Sequence, residues 1–209
     1  RMENFLMKIN THKCVLCYAC VRNCPVKAIA VSSQEEPPIQ IINDRCVGCG
    51  ACYEVCPYDA VEYVSHIPDA QMAINSEETV IALLAPSVAA EFLDISDYRK
   101  FSQMLHQLGF NKVYEAALGA DLVAREYKKL FSESRGKYYL TTNCPVVVSN
   151  VEKFQPDLID NLAPIVSPWI AMAKVLKKEY GEESKIVYIG PCIAAKEEAK
   201  RHAKEVKID

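Results

Sequence analysis

Eight of the ten cysteines in this 209-residue chain repeat one spacing, C-x2-C-x2-C-x3-C-P. The first copy is Cys14, Cys17, Cys20, Cys24 and Pro25; the second is Cys46, Cys49, Cys52, Cys56 and Pro57. Thiolates at this spacing are ligands for two 4Fe-4S cubanes, with the fourth cysteine of each run reaching across to the other cluster. The expected sets are therefore Cys14, Cys17, Cys20 and Cys56 for one cluster, and Cys24, Cys46, Cys49 and Cys52 for the other. Structural zinc uses paired C-x2-C knuckles, in which a third cysteine two residues on has no role. A disulfide framework needs an oxidising compartment, and nothing in the chain points to secretion.

The two runs also form an internal repeat. CVLCYACVRNCPVKAIAV from Cys14 matches CVGCGACYEVCPYDAVEY from Cys46. Gly48 and Gly50 allow close backbone approach to a cluster, and Tyr18 takes the place of Gly50, so the two sites are not equivalent. A helix-forming stretch is expected after each proline, then β-branched strands at Ala28–Val31 and Ala60–Val64. The module expected is the α+β, pseudo-twofold unit of a bacterial two-cluster ferredoxin, covering residues 1–77. Its clusters stand in for a core, so metal binding supplies folding energy.

The rest of the chain sets broad bounds. A net charge of −3 without a basic stripe argues against nucleic acid. The longest apolar run, Thr79 to Leu93, is broken by Pro86 and Ser87 and contains Glu91, so no membrane span is expected. Arg1 to Asn10 is too short and too mixed for a secretory signal, which points to the reducing cytoplasm. Both ends are abrupt, and the chain is read as a fragment of something longer.

After a linker expected at His66–Ser76, strands and helices alternate. Strands are expected at Val80–Ala85, Lys112–Ala117, Tyr138–Thr142 and Lys185–Ile189. Helices are expected from a Ser96-Asp97 cap to Leu108, at Asp121–Phe131, from Pro164 to Lys178 with Pro168 in the first turn, and at Ala194–Lys204. This order predicts an α/β domain over 78–209 with a mainly parallel sheet. Cys144, Cys192 and Pro86 each follow a predicted strand end, where parallel sheets bind ligands. They are expected to share a pocket, against the alternative that both thiols are buried core cysteines. The histidines show no metal-ligand spacing, and the charged run Lys196–Lys204 reads as a solvated face.

Residues 79–209 resemble the active-site domain of the iron-only (FeFe) hydrogenases. The resemblance rests on IALLAPSVAAEF from Ile81, LGFNKVYEAALGADLVAREY from Leu108, TTNCPVVVSNVEKFQPDL from Thr141 and IVYIGPCIAAKEEA from Ile186, in that order. It implies an H-cluster, a 4Fe-4S cubane joined to a two-iron centre, with Cys144 and Cys192 as two of its four cysteine ligands. The family's third motif, Glu-x-Met-Ala-Cys-x-Gly-Gly-Cys, does not occur in the chain. The resemblance also implies cofactor-binding roles for Pro86, Ser87, Trp169, Gly190 and Ala195.

Several residues depart from the family pattern. Asn143 stands where hydrogen-turning members carry a proton-relaying cysteine, and an amide is a poor proton shuttle near neutral pH. Gly190 replaces a methionine, Ala195 a cyanide-binding lysine that Lys196 follows by one position, and Trp169 a glutamine. Glu126 is retained from an acidic pair, whereas Tyr127 replaces its neighbour. These departures resemble the sensory branch of the family. The expectation is a cytoplasmic hydrogenase-type redox protein, with Asn143 and Glu126 at the catalytic positions. Its electrons would pass through two 4Fe-4S clusters to or from the H-cluster site, for slow, reversible hydrogen chemistry. Partners expected are hydrogen and protons as substrates, a redox protein or downstream signalling domain, and a second copy of the chain. The rival is a non-enzymatic electron-transfer or regulatory module without a working H-cluster.

Overall fold

Left-handed backbone at matched positions shapes both cysteine loops. In the computed structural model, which describes residues 6–92, 97–134, 136–206 and 208, Leu16 and Tyr18 have φ of 57° and 58°. Their counterparts Gly48 and Gly50 have 68° and 81°. Lys27 and Asp59, another matched pair, have 51° and 47°. The repeat is thus one of conformation as well as sequence. Glycine adopts φ > 0 at no steric cost, so the first copy holds with Leu and Tyr a turn the second makes with glycine.

Contacts divide the chain into two compact units. The first comprises residues 6–65 with Pro145–Ile159 and Cys192–Glu197. Its strands form two antiparallel pairs: β1 (Met7–Ile9) with β4 (Val61–Tyr63), and β2 (Ile29–Val31) with β3 (Ile39–Ile41). The short helices α1 (Ala19–Asn23) and α2 (Ala51–Glu54) begin directly after Tyr18 and Gly50. The helical turn therefore precedes each Cys-Pro pair and does not follow it as the sequence suggested. After each proline the left-handed residue, Lys27 or Asp59, swings the chain into the strand. Met7, Ala28, Ile29, Ile39 and Val61 form a thin core that also contains Cys20 and Cys24.

The second unit comprises the described residues of His66–Cys144, Asp160–Pro191 and Glu198–Asp209. The expected linker is instead a helix, α3 (Ile67–Ile74), started by a proline in its first turn and anchored by buried Ala73. Proline is tolerated there because the first-turn N–H has no helical partner to lose. The sheet is parallel, in the order β6 (Lys112–Glu115), β5 (Val80–Leu84), β7 (Lys185–Ile189). The central strand is buried at every position, which is why its sequence is continuously apolar.

After β5 come α4 (Val88–Glu91) and α5 (Tyr98–Gln107), the latter capped by Asp97, whose carboxylate accepts from the Arg99 N–H. Ser96, the other expected cap residue, lies outside the described residues. The helix expected at Asp121–Phe131 is longer, α6 (Ala117–Glu133). Tyr138–Thr142 does not form a strand: Leu140 makes an isolated parallel bridge to Leu162, and Thr142 is bonded to the Tyr127 hydroxyl and to the loop carbonyls of Ala163 and Ile165. The remaining helices are α7 (Pro145–Phe154), a 3-10 turn (Pro156–Asn161), α8 (Pro168–Tyr180) and α9 (Ala195–His202). Among the described residues no helix is long and apolar enough to cross a membrane.

Buried Gly119 sets how closely α6 approaches the start of α8. A Cβ there would lie 2.0 Å from the Pro168 carbonyl oxygen. Backbone cannot rotate aside as a side chain can, so the helices would have to separate. Gly119→Ala is expected to destabilise the unit by about 2–3 kcal/mol through overpacking, despite alanine's better helix propensity. Denaturant unfolding followed by circular dichroism measures it.

Candidate metal centres

Sulfur is placed around two separate cavities. Cys24, Cys46, Cys49 and Cys52 line one, with Met7, Ile29 and Ile41 among its apolar walls. Cys14, Cys17, Cys20 and Cys56 line the other, with Ile9, Ile39 and Val61. Each holds about 340 or 330 Å³ of empty space, partly open to solvent. Every set thus takes three sulfurs from one copy of the repeat and one from the other. The exchange is made by the Cys-Pro ends, which leave α1 and α2 toward the opposite copy.

The donor chemistry discriminates between metals. Around one tetrahedral ion with metal–sulfur bonds of about 2.3 Å, sulfurs would crowd to within about 4 Å of each other. Among the described residues, no three Cys, His, Asp or Glu side chains are grouped to hold a single ion. Four thiols spread round an apolar cavity suit a multi-iron cluster, whose irons and sulfides fill the middle. Backbone amides add to the fit: Ala28 N–H donates to Cys24 Sγ at 3.2 Å and Ala60 N–H to Cys56 Sγ at 3.3 Å. Such bonds stabilise a thiolate ligand.

Electrostatics follow burial. Burial pushes the Cys52 thiol up to about 12, helped by the neighbouring Cys46 and Cys49. Burial also raises Cys46 and Cys20. At Cys56 burial acts in the same direction, but the N–H groups of Tyr58, Ala60 and Val61 outweigh it and lower the thiol.

Two segments from the C-terminal half pack on the Cys46 loop within the first unit. A Cβ on Gly48 would meet Ala194 Cβ at 3.3 Å, and one on Gly50 would meet Ile193 Cδ1 at 3.2 Å. From α7, the Lys153 ammonium donates to the carbonyls of Cys46 at 2.6 Å and Asn43 at 3.2 Å. Nothing local to Lys153 signals this role, since a lysine near a helix end ordinarily faces water. Lys196, expected on a solvated face, is half-buried, donates to the Val64 carbonyl and lies over the Tyr63 ring.

The other expected site residues are placed as follows. Pro86 and Ser87 follow β5 after one residue, Ala85, and Gly190 directly follows β7, so all three lie just past the C-terminal ends of adjacent parallel strands, and all are exposed. A Cβ on Gly190 would meet the Tyr188 ring at 2.9 Å and Ala85 at 3.0 Å. Tyr188 thereby fills the space a side chain at 190 would occupy. Trp169 is buried, stacks on Tyr188 at 4.4 Å, and donates its indole N–H to the buried Glu198 carboxylate at 2.8 Å. Glu198, also expected on a solvated face, is buried with its carboxylate accepting this bond. Ala195 is buried at the start of α9.

Cys144 does not follow a sheet strand, as the sequence suggested. It is exposed and immediately precedes α7. Cys192 is half-buried, two residues after Gly190. Cys144 belongs to the second unit and Cys192 to the first. Asn143 and Glu126 are exposed. Tyr127 is tied to the loop before Asn143: its hydroxyl accepts from the Thr142 N–H at 2.9 Å and lies 3.1 Å from Thr142 Oγ1.

Residues 78–209, more than half the chain, match the family described as "Iron only hydrogenase large subunit, C-terminal domain". The chain belongs to the iron-only hydrogenase large-subunit family. Residues 13–60 match a 4Fe-4S dicluster domain, which covers all eight repeated cysteines. Two relatives are iron hydrogenase 1 of Clostridium pasteurianum, 31% identical over 156 residues, and the NADP-reducing hydrogenase subunit HndD of Solidesulfovibrio fructosivorans, 29% identical over 164 residues. These alignments cover 66% and 67% of this chain but 27% and 28% of the relatives. The chain spans under a third of the length of the curated relatives it matches. It is an iron–sulfur module of the hydrogenase family, with a 4Fe-4S domain preceding its hydrogenase domain.

Gly48 tests the packing around the second sulfur set. Its φ is +68°, and a Cβ would also lie 2.7 Å from Leu6 Cδ1. Gly48→Ala is expected to cost about 1–2 kcal/mol from the left-handed backbone alone. Faster bleaching of iron–sulfur absorbance during denaturant unfolding is the corresponding readout.

Proposed function

We propose that the chain binds two 4Fe-4S clusters and serves as the electron-conducting and partial active-site portion of a cytoplasmic FeFe hydrogenase-type protein of the sensory kind. The carrying observation is the division of eight cysteine sulfurs into two quartets around separate apolar cavities, in a chain of this family. Cys14, Cys17, Cys20 and Cys56 hold one cluster, and Cys24, Cys46, Cys49 and Cys52 the other. When bound, the clusters supply one-electron storage in a site that the apolar walls partly shield from water. Ile193 and Ala194, just beyond Cys192, pack on the Gly48–Gly50 loop of the second quartet.

Cys144 and Cys192 supply two of the four thiolates an H-cluster cubane takes, and the described residues offer no further cysteine. Pro86, Ser87, Gly190, Ala195 and Trp169 border that site in the proposal. Its substrates are hydrogen and protons. Its electron partner is a redox protein or an attached signalling domain, and a second copy of the chain is the proposed oligomeric partner. Slow turnover is supported by Asn143, whose amide cannot relay a proton as a thiol does. Tyr127 supports it too, because its hydroxyl is engaged by Thr142 and no carboxylate stands there.

Reconstitution under argon followed by iron and sulfide assay tests the cluster count. About eight irons per chain are expected from two cubanes. Cys24→Ala should disrupt the cluster of the Cys46 loop and leave that of Cys14, Cys17 and Cys20. Loss of the latter instead would reverse the assignment. In the complete protein carrying an H-cluster, Asn143→Cys should raise hydrogen turnover, within the ~10²–10⁴-fold range of a well-placed acid or base. Equal rates would remove the relay explanation. Absence of carbonyl and cyanide infrared bands after H-cluster loading would favour the docking-module reading.

A further inference from the structure

The two quartets are closely matched in most properties that tune an iron–sulfur potential: cluster type, hydrogen bonds to sulfur, solvent exposure and nearby charge. Each contains one exposed, one buried and two half-buried cysteines. Each receives a backbone N–H bond on the sulfur of its crossing cysteine, from Ala28 and Ala60 respectively. Nearby charge is where they differ.

Around the Cys46 quartet, Lys153 donates to the carbonyl of a quartet cysteine, Cys46, and to Asn43. Arg45 donates to the Val26 carbonyl at 3.2 Å, two residues past Cys24, and lies 5.5 Å over the Phe154 ring. Among the described residues neither cation has a carboxylate within salt-bridge distance. In the other half of the repeat, Lys13 is the counterpart of Arg45. It pairs with Glu62 at 3.3 Å, and the same carboxylate takes Lys8 at 3.5 Å. Thus a carboxylate offsets the cations there, whereas backbone carbonyls and the Phe154 ring receive them at the Cys46 quartet.

We infer that Lys153, contributed by a helix of the hydrogenase domain, is a potential-setting residue that makes the Cys24/Cys46/Cys49/Cys52 site the more easily reduced of the two. This rests on the two-cluster reading above. Four thiolates give a bound cluster excess negative charge, which a further electron increases. An adjacent ammonium favours the reduced form, and a cation already paired with a carboxylate favours it less. The gradient favours the electron on the quartet whose loop packs against Ile193 and Ala194. Lys153 is exposed enough for water and salt to weaken the effect.

The test is a reductive titration of the reconstituted full chain. Dithionite and mediator dyes supply one electron per cluster at low salt, followed by electron paramagnetic resonance. Lys153→Gln should weaken reduction of one cluster by about 3- to 10-fold, a shift of roughly 30–60 mV to more negative potential for one electron. Lys153→Arg should largely preserve the native value. A Cys17→Ser background, which perturbs only the other quartet, identifies the shifted signal. Raising the salt concentration should narrow the gap between the two potentials in the unmodified protein, a readout that does not depend on any variant assembling. The inference is overturned by unchanged potentials at low salt, by a shift in the Cys14/Cys17/Cys20/Cys56 signal, by an Arg variant that behaves as the Gln variant does, or by a salt-independent gap. An unmodified protein with well under eight irons overturns the two-cluster reading, and this inference with it. Eight irons with unmoved potentials overturn this inference alone.

Discussion

Gathering four sulfurs from both halves of a repeat around each of two cavities governs the rest of the first unit. In its cysteine repeat the strands are three residues long and α1 and α2 span five and four, too little to bury a substantial core. The residues that do pack, Met7, Ile29, Ile39 and Val61, form walls around the sulfur cavities. Because each cavity takes a cysteine from the opposite copy, neither half can be complete without the other. Cluster binding then couples directly to folding.

Left-handed backbone makes this arrangement possible. The turn must present sulfurs inward while the peptide groups pass close by, and φ > 0 at two positions per loop does so. Glycine meets that demand in the second copy, and the same absence of a side chain lets Ile193 and Ala194 approach. Leu16 and Tyr18 accept the strained conformation in the first copy, where Tyr18 adds aromatic cover to the cavity. One backbone solution thus serves two surroundings, a shielding side chain in one copy and a close neighbour in the other.

The parallel sheet of the second unit works by a different principle. A buried central strand leaves polar and special residues to the strand ends, where Pro86, Ser87 and Gly190 lie. Tyr188 occupies the room left by Gly190, and Trp169 supports it through stacking and its bond to Glu198. The absence of a side chain at position 190 is therefore built into the packing around it.

Ligand type, ligand spacing and the β/α alternation could be read from the chain by itself, because they depend on local chemistry and periodicity. The cysteine runs, the continuously apolar β5 and the boundaries of β7 all belong to this class. Family membership was legible too, from the order of motifs along 79–209. Tertiary structure decided what depends on neighbours distant in sequence. His66–Ser76 is polar enough to pass for a linker, yet Ala73 finds an apolar surface and the segment is helical. Tyr138–Thr142 has strand propensity, but Thr142 is claimed by Tyr127 and by loop carbonyls. Lys153 and Glu198 look like solvated helix residues until the fold brings the Cys46 carbonyl to one and the Trp169 indole to the other. Local sequence carries propensity and donor type; it does not carry the partner that a buried or bridging charge will meet, because that partner is more than 100 residues away for Lys153 and on a separate helix for Glu198.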